Sequence, residues 1–229
     1  MILGIMQPYF MPYIGYFQLM KAADKYVVYD DVNYIKGGWV SRNNIIVNGE
    51  QKMFTITLKG ASSNKLFNEI EIGDDFHKFE KTLKLNYSKA IYFDTTMDLL
   101  KRIFSYPEKQ LALFLSNSFK EILSYLEIET EILLSSELSK DNSLKGKERV
   151  FDICHLLQAN RYYNAIGGEK LYDKLEFEKH GIHLNFLDTI VKEYRQMSKT
   201  FIPNLSIIDV LMNNSKEEIH LLLDSYKLK

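Results

Sequence analysis

Apolar and polar positions fall in short blocks along the chain. Ile2 to Met6 is an apolar run of strand length. Gln7-Pro8-Tyr9-Phe10-Met11-Pro12 breaks it, and its two prolines each remove a backbone donor, so this segment is a shaped loop. The pattern then predicts a helix from Tyr13 to Ala23, with Ile14, Phe17, Leu19 and Met20 available for an apolar face. Lys25 to Tyr29 (KYVVY) is a second β-rich run, closed by Asp30-Asp31. Strand, loop, helix, strand is the opening of a βαβ unit, where binding residues sit at the C-terminal ends of the strands.

Trp39 to Val47 and Met53 to Leu58 are predicted as a strand pair, with Asn48-Gly49 as the hairpin turn. Lys59 to Lys65 is polar, and Ile70 with Ile72 suggests a short strand. Helices are predicted over Asp75–Ala90, Leu111–Leu126, Glu148–Leu157, Ser206–Met212 and Lys216–Leu223, and strands over Glu131–Leu134, Arg161–Ala165 and His183–Leu187. The polar stretch from Ser136 to Lys147 is the best internal boundary of what otherwise reads as a single domain over residues 1–229. Alternating strands and helices predict an α/β fold, a mainly parallel sheet flanked by helices, with a β-hairpin insertion and a helical C-terminal part.

Composition narrows the function classes. The 29 basic and 30 acidic side chains give a formal net charge of -1, without the basic excess that nucleic-acid binding draws on. Cys154 is the single cysteine, so no intrachain disulfide can form, and its apolar neighbours point to core packing. The apolar N-terminus lacks a basic n-region, and no apolar run reaches the roughly 18 residues of a membrane span. A cytoplasmic protein without membrane insertion is expected.

Four segments carry candidate chemistry. The first, Gln7 to Tyr16, is a loop before a helix N-terminus, suited to presenting amides to an anion. Gly15 would let a phosphate approach, and Gln7 offers an amide that donates and accepts. The second runs from Asp24 to Asn43. Asp30 and Asp31 are adjacent and point apart on an extended chain, and Lys36, Trp39, Arg42 and Asn43 follow closely. The third is Tyr162 to Gly168, with Asn164, where Gly167 and Gly168 could cradle a phosphate or sugar, or simply form a turn, as most such pairs do. The fourth, Tyr194 to Asp209, places Gln196 and Lys199 within reach of a ligand, with Ser206 capping the following helix. Of the histidines, only His180 and His183 are closely spaced, away from any carboxylate cluster, and no metal site is expected.

These residues carry a resemblance. The run IMQPYFMPYIGYFQLMKAADKYVVYDDV, followed by Lys36 and WVSRNNI, resembles the N-terminal signature of the WbqC-like family. YNAIGG with LYD, and the stretch from Tyr194 through FIPNLSIIDVL, resemble its C-terminal signatures. The family occurs among genes for bacterial O-antigen and capsule synthesis. The resemblance therefore implies transfer of an acyl or aminoacyl group, such as glycine, to the amine of a nucleotide-linked amino sugar. A second similarity concerns fold. Tyr13-Ile14-Gly15-Tyr16 stands in the place of the His-x-Gly-His signature of nucleotidylyltransferases, and Gln196-Met-Ser-Lys-Thr200 resembles their Lys-Met-Ser-Lys-Ser loop. That similarity implies a Rossmann-like or HUP-like nucleotide-binding architecture. Tyrosine replaces both histidines, however, and cannot carry positive charge to a phosphate at neutral pH.

Under the transferase reading, Tyr9, Tyr13, Tyr16 and Trp39 stack on a base or sugar. Lys36 or Arg42 holds the diphosphate. Asp30 or Asp31 takes a proton from the sugar amine, while Gln7 and Asn43 orient the sugar or polarise the acyl carbonyl. Tyr194, Gln196, Asn164, Gly167 and Gly168 complete the substrate site. The acyl donor is open between aminoacyl-tRNA, acyl-CoA, and an amino acid with ATP; a carrier-linked donor is a further partner, and oligomeric state is open. Two other readings stand beside it: an enzyme that activates its substrate with a nucleoside triphosphate, and a non-catalytic scaffold of polysaccharide assembly.

Overall fold

Strand β1 (Ile2–Met6) is buried at its three central positions, because it runs through the middle of a six-stranded sheet. The computed structural model describes residues 1–229. The loop after β1 leads into helix α1 (Ile14–Ala22), which returns the chain to β2 (Lys25–Val28), parallel to β1. The hairpin β3 (Arg42–Val47) and β4 (Glu50–Thr55) follows, with Asn48 and Gly49 at φ 54° and 81°. A two-residue turn of that kind fixes the register at Val47 opposite Glu50, so β4 starts earlier than the apolar pattern predicts. The small pair β5 (Leu58–Lys59) and β6 (Glu71–Ile72) precedes three helices: α2 (His77–Tyr87), α3 (Phe93–Phe104) and α4 (Leu111–Tyr125).

The chain re-enters the sheet at β7 (Glu131–Leu134), crosses it with α5 (Gly146–Leu156), and adds β8 (Arg161–Ala165), α6 (Lys174–Lys179) and β9 (His183–Thr189). Helices α7 (Ile207–Asn213) and α8 (Lys216–Leu223) lead to β10 (Tyr226–Leu228). The strand order is β10-β9-β8-β1-β2-β7, with only β10 antiparallel to its neighbour. The expected mainly parallel sheet is therefore present, with the hairpin and the C-terminal helices as additions. No helix is long and apolar enough to cross a membrane.

Both faces of the sheet are covered, which explains the near-continuous apolar runs of β1 and β2. Leu3, Ile5 and Val27 pack on Val150, Phe151 and Cys154 of α5 and Phe177 of α6. Burial pushes the Cys154 thiol up to about 12, as befits a packing residue. On the other face, Tyr26 and Val28 join a larger core from α1 to α4 and α7. Its centre is an aromatic stack in which Phe76 lies 4.4 Å from Phe104 and 5.4 Å from Phe114. The polar stretch 136–147 lies across the C-terminal ends of β2 and β7.

Candidate functional site

Parallel strands deliver their C-terminal ends to one edge, so residues far apart in sequence meet there. Past β2, Asp30 is 1 % exposed, and its carboxylate accepts two hydrogen bonds from Ser136, just past β7. The Ser136 amide donates to Oδ1 at 2.9 Å and its hydroxyl to Oδ2 at 2.6 Å. Burial raises the Asp30 carboxyl above the usual range, and the Ser136 bonds offset only part of the shift. Asp31 points the other way, as adjacent residues on an extended chain must. Its Oδ2 lies 2.7 Å from Lys140 Nζ and 3.6 Å from Arg149. Burial acts to raise the Asp31 carboxyl too, but the hydrogen bonds and charges around it outweigh burial, and it is held low.

Beside these carboxylates opens a cleft of ≈ 620 Å³, within the range that holds a small-molecule ligand. Tyr29, Asp31, Asn33 and Ser136 line one side, and Asn142, Lys145 and Arg149 the other. Arg149 organises the rim. Its Nε donates to Leu144 O at 2.7 Å, and its two amines donate to Asp31 O at 3.1 Å and Asn142 O at 3.2 Å. The guanidinium also stands 6.0 Å over the Tyr29 ring. Lys145 is the N-cap of α5 and is exposed, and no side chain caps the first-turn amides of that helix. An uncapped helix N-terminus beside a free lysine favours an anion.

The N-terminal segment has a different character from the one its residue types suggest. Tyr9 and Tyr16 are buried and meet edge to face at 5.5 Å, and the Tyr16 hydroxyl donates to Gln7 O at 2.8 Å. Desolvation raises all three phenols of Tyr9, Tyr13 and Tyr16. The loop is clamped from outside: Asn43 and Ser206 both donate to Met11 O, at 2.6 and 2.8 Å, and fix Met11 at φ 46°. Asn43 thus supports the loop from a buried position. Gly15 gives no room for a phosphate, because a Cβ there would fall on the Tyr13 ring and 2.6 Å from Thr189 Oγ1. The Gln7 side chain is half-buried at the strand end and makes no hydrogen bond to the protein.

Several other candidates are engaged within the fold. Asn164 is buried and donates to the Tyr162 hydroxyl at 2.6 Å, and Gly168 packs against Asn164. Only Gly167 faces open space. Tyr194 and Gln196 donate to Asp209 Oδ2 at 2.8 and 3.0 Å, so both are committed to a buried carboxylate. Arg42 donates to Gly37 O and lies 5.5 Å from the exposed Trp39 ring, while Lys36 stands exposed on the same loop. His180 stacks on Phe151 at 3.9 Å, and His183 is exposed on β9. Of the predicted residues, the edge therefore brings Asp31 to the cleft, with Asp30 buried behind Ser136. It adds Ser136, Asn142, Lys145 and Arg149 to the lining and Lys140 beneath it, which sequence reasoning missed. Their signal was present as a polar, lysine-rich stretch between a strand and a helix, the usual place for a binding loop.

Comparison with known proteins agrees with the motifs. The chain is 30% identical over 222 residues to the uncharacterized protein Rv1507c of Mycobacterium tuberculosis, covering 93% of this chain and 94% of that protein. No solved structure matches. A model of the WbqC-like protein family matches residues 7–221, from the loop after β1 to the last helix. The chain belongs to the WbqC-like protein family.

Proposed function

We propose that the protein is an acyl- or aminoacyltransferase that modifies the amine of a nucleotide-linked amino sugar for a bacterial surface polysaccharide, acting in the cytoplasm. The observation that carries the reading is the cleft at the ends of β2 and β7. It combines an unpaired Lys145 and the open amides of α5, suited to a diphosphate, with hydrogen-bonding groups of Asn33, Ser136 and Asn142, suited to a sugar. The reaction class comes from the family's association with O-antigen and capsule genes. The donor is an activated acyl group carried on tRNA, on coenzyme A, or formed from an amino acid and ATP. Numbered in chain order, the five parallel strands lie 3-2-1-4-5, an order shared with doubly wound, Rossmann-like or HUP-like sheets, whose switch point here falls between β1 and β8.

Thermal denaturation with UDP- and dTDP-linked amino sugars tests the site. These ligands stabilise the wild type, since binding to the folded state alone raises its stability. Lys145→Glu weakens the effect about tenfold in Kd, about 1.4 kcal/mol, by setting a negative charge against the phosphates. A cavity of ≈ 390 Å³ bounded by Tyr13, Ile166, Asp188 and Thr189 opens at the ends of β8 and β9, and favours a second reading, nucleotide activation on that side. Stabilisation by ATP or CTP, unaffected by Lys145→Glu and absent with nucleotide sugars, would move the assignment there.

A further inference from the structure

Asp30 is a buried carboxylate with no cationic partner. Lys140 and Arg149 pair with the adjacent Asp31 instead. The side-chain oxygens of Asp30 accept only from Ser136, one from its amide and one from its hydroxyl. The Asp30 residue is 1 % exposed, whereas Ser136 is exposed and lines the ≈ 620 Å³ cleft. The carboxylate therefore meets the cleft through one hydroxyl, held at 2.6 Å. A carboxylate that merely capped the turn at Ser135–Glu137 would need only the amide bond.

We infer that Ser136 is a nucleophile, with Asp30 as its general base, and that the pair carries the acyl group between donor and acceptor. The inference rests on the acyl-transfer reading. Ser136 Oγ attacks the carbonyl carbon of an oxygen ester or thioester donor, and its proton passes to Asp30 Oδ2. The C–O or C–S bond of the donor breaks, and the departing alkoxide or thiolate takes a proton from water in the open cleft, while Asp30 keeps the proton of Ser136. The amine of the sugar then attacks the acyl-serine. A C–N bond forms, the bond to Ser136 Oγ breaks, the amine loses its proton to water, and Asp30 returns to Ser136 Oγ the proton it had taken. Lys145, Asn142 and the first amides of α5 line the same cleft and are the donors available to a developing oxyanion. Desolvation strengthens Asp30 as a base by raising its carboxyl.

Mixing the full chain with p-nitrophenyl acetate tests the pair without knowledge of the natural donor. The wild type releases a burst of one p-nitrophenolate per chain, and peptide mass mapping finds the acetyl group on Ser136. Ser136→Ala abolishes the burst. Asp30→Asn slows it by about 10²-fold or more, the scale of a lost general base. Ser136→Cys, which keeps a nucleophile in place, restores an adduct at the same position and covers the case in which Asp30→Asn fails to fold. No burst in the wild type, or an equal burst in Ser136→Ala, overturns the assignment. Adding UDP- or dTDP-linked amino sugars to the acetylated protein separates the two readings. An acetyl group that moves to the sugar supports both. One that leaves Ser136 only to water supports the dyad while the amino-sugar reading falls.

Discussion

Asp209 shows how a polar residue can hide its role in a sequence. It is fully buried on α7, and its carboxylate accepts hydrogen bonds from Tyr87 at 2.9 Å, Tyr194 at 2.8 Å and Gln196 at 3.0 Å. All three donors are neutral, so none supplies the countercharge that a buried carboxylate lacks. Burial raises the Asp209 carboxyl, and the three hydrogen bonds offset only part of that shift. The sign of the linkage follows. A carboxyl that protonates more readily in the folded chain contributes stability that is complete below the ordinary value of 3.8 and is lost as pH rises through the raised folded value. Measured by urea unfolding, the stability of the wild type relative to Asp209→Asn, which does not titrate, should therefore fall with rising pH across that window. A difference independent of pH would mean that Asp209 titrates alike in both states. Tyr194→Phe removes one donor from a group with nowhere else to turn, and should cost about 1–3 kcal/mol at neutral pH.

Helix α1 illustrates the same substitution of packing for binding at the level of an element. Gly15 to Met20 are all buried, because the helix is wedged between the sheet and α8. Gln18 ties it down, donating to Leu222 O and Ser225 O at 2.9 Å and accepting from Thr189 Oγ1 at 2.8 Å. Gly15→Ala would drive a methyl group into the Tyr13 ring and Thr189, and overpacking of this kind costs about 1–3 kcal/mol. Denaturant unfolding should show that loss, and a neutral result would restore Gly15 as a position with open space for a ligand. The sequence announces such elements unevenly. The apolar runs of β1, β2, β7 and β8 and the turn Asn48-Gly49 are legible because each signal is local. Helix α3 is missed although Met97, Leu100 and Phe104 recur on one face, since its N-cap Tyr92 supplies no capping side chain to mark a start. Helix α6 has six residues and β10 three, too short for any periodicity to register. At the site, Asp30 and Asp31 are visible as charges at a strand end. Ser136 and Arg149 lie more than a hundred residues away and become partners only when β7 joins β2.

At the scale of the whole molecule, that joining makes Asp31 a tie between two distant segments. Its carboxylate receives Lys140, whose side chain is 0% exposed, and Arg149, which in turn holds the carbonyls of Asn142 and Leu144. Lys140 also donates to Ser135 O, so the rim of the cleft from Ser135 to α5 hangs on this cluster. A carboxylate kept low by two cations is a poor proton acceptor, so Asp31 shapes the cleft. Asp31→Ala should leave the Lys140 ammonium buried without a counterion, a defect that costs about 3–5 kcal/mol in broken buried pairs. The value expected here is near the low end, because Arg149 keeps its carbonyl partners. Hydrogen exchange should quicken at residues 141–146 while the central strands stay protected. Adding Lys140→Met removes the stranded charge, and the double variant should regain most of the lost stability, as hydrophobic replacements of buried pairs do. The rim would still be slack, because the tie to β2 is gone. Recovered stability with weakened binding of UDP-linked amino sugars is therefore the expected signature. Full recovery of both would show that the cleft holds its shape through Arg149 alone.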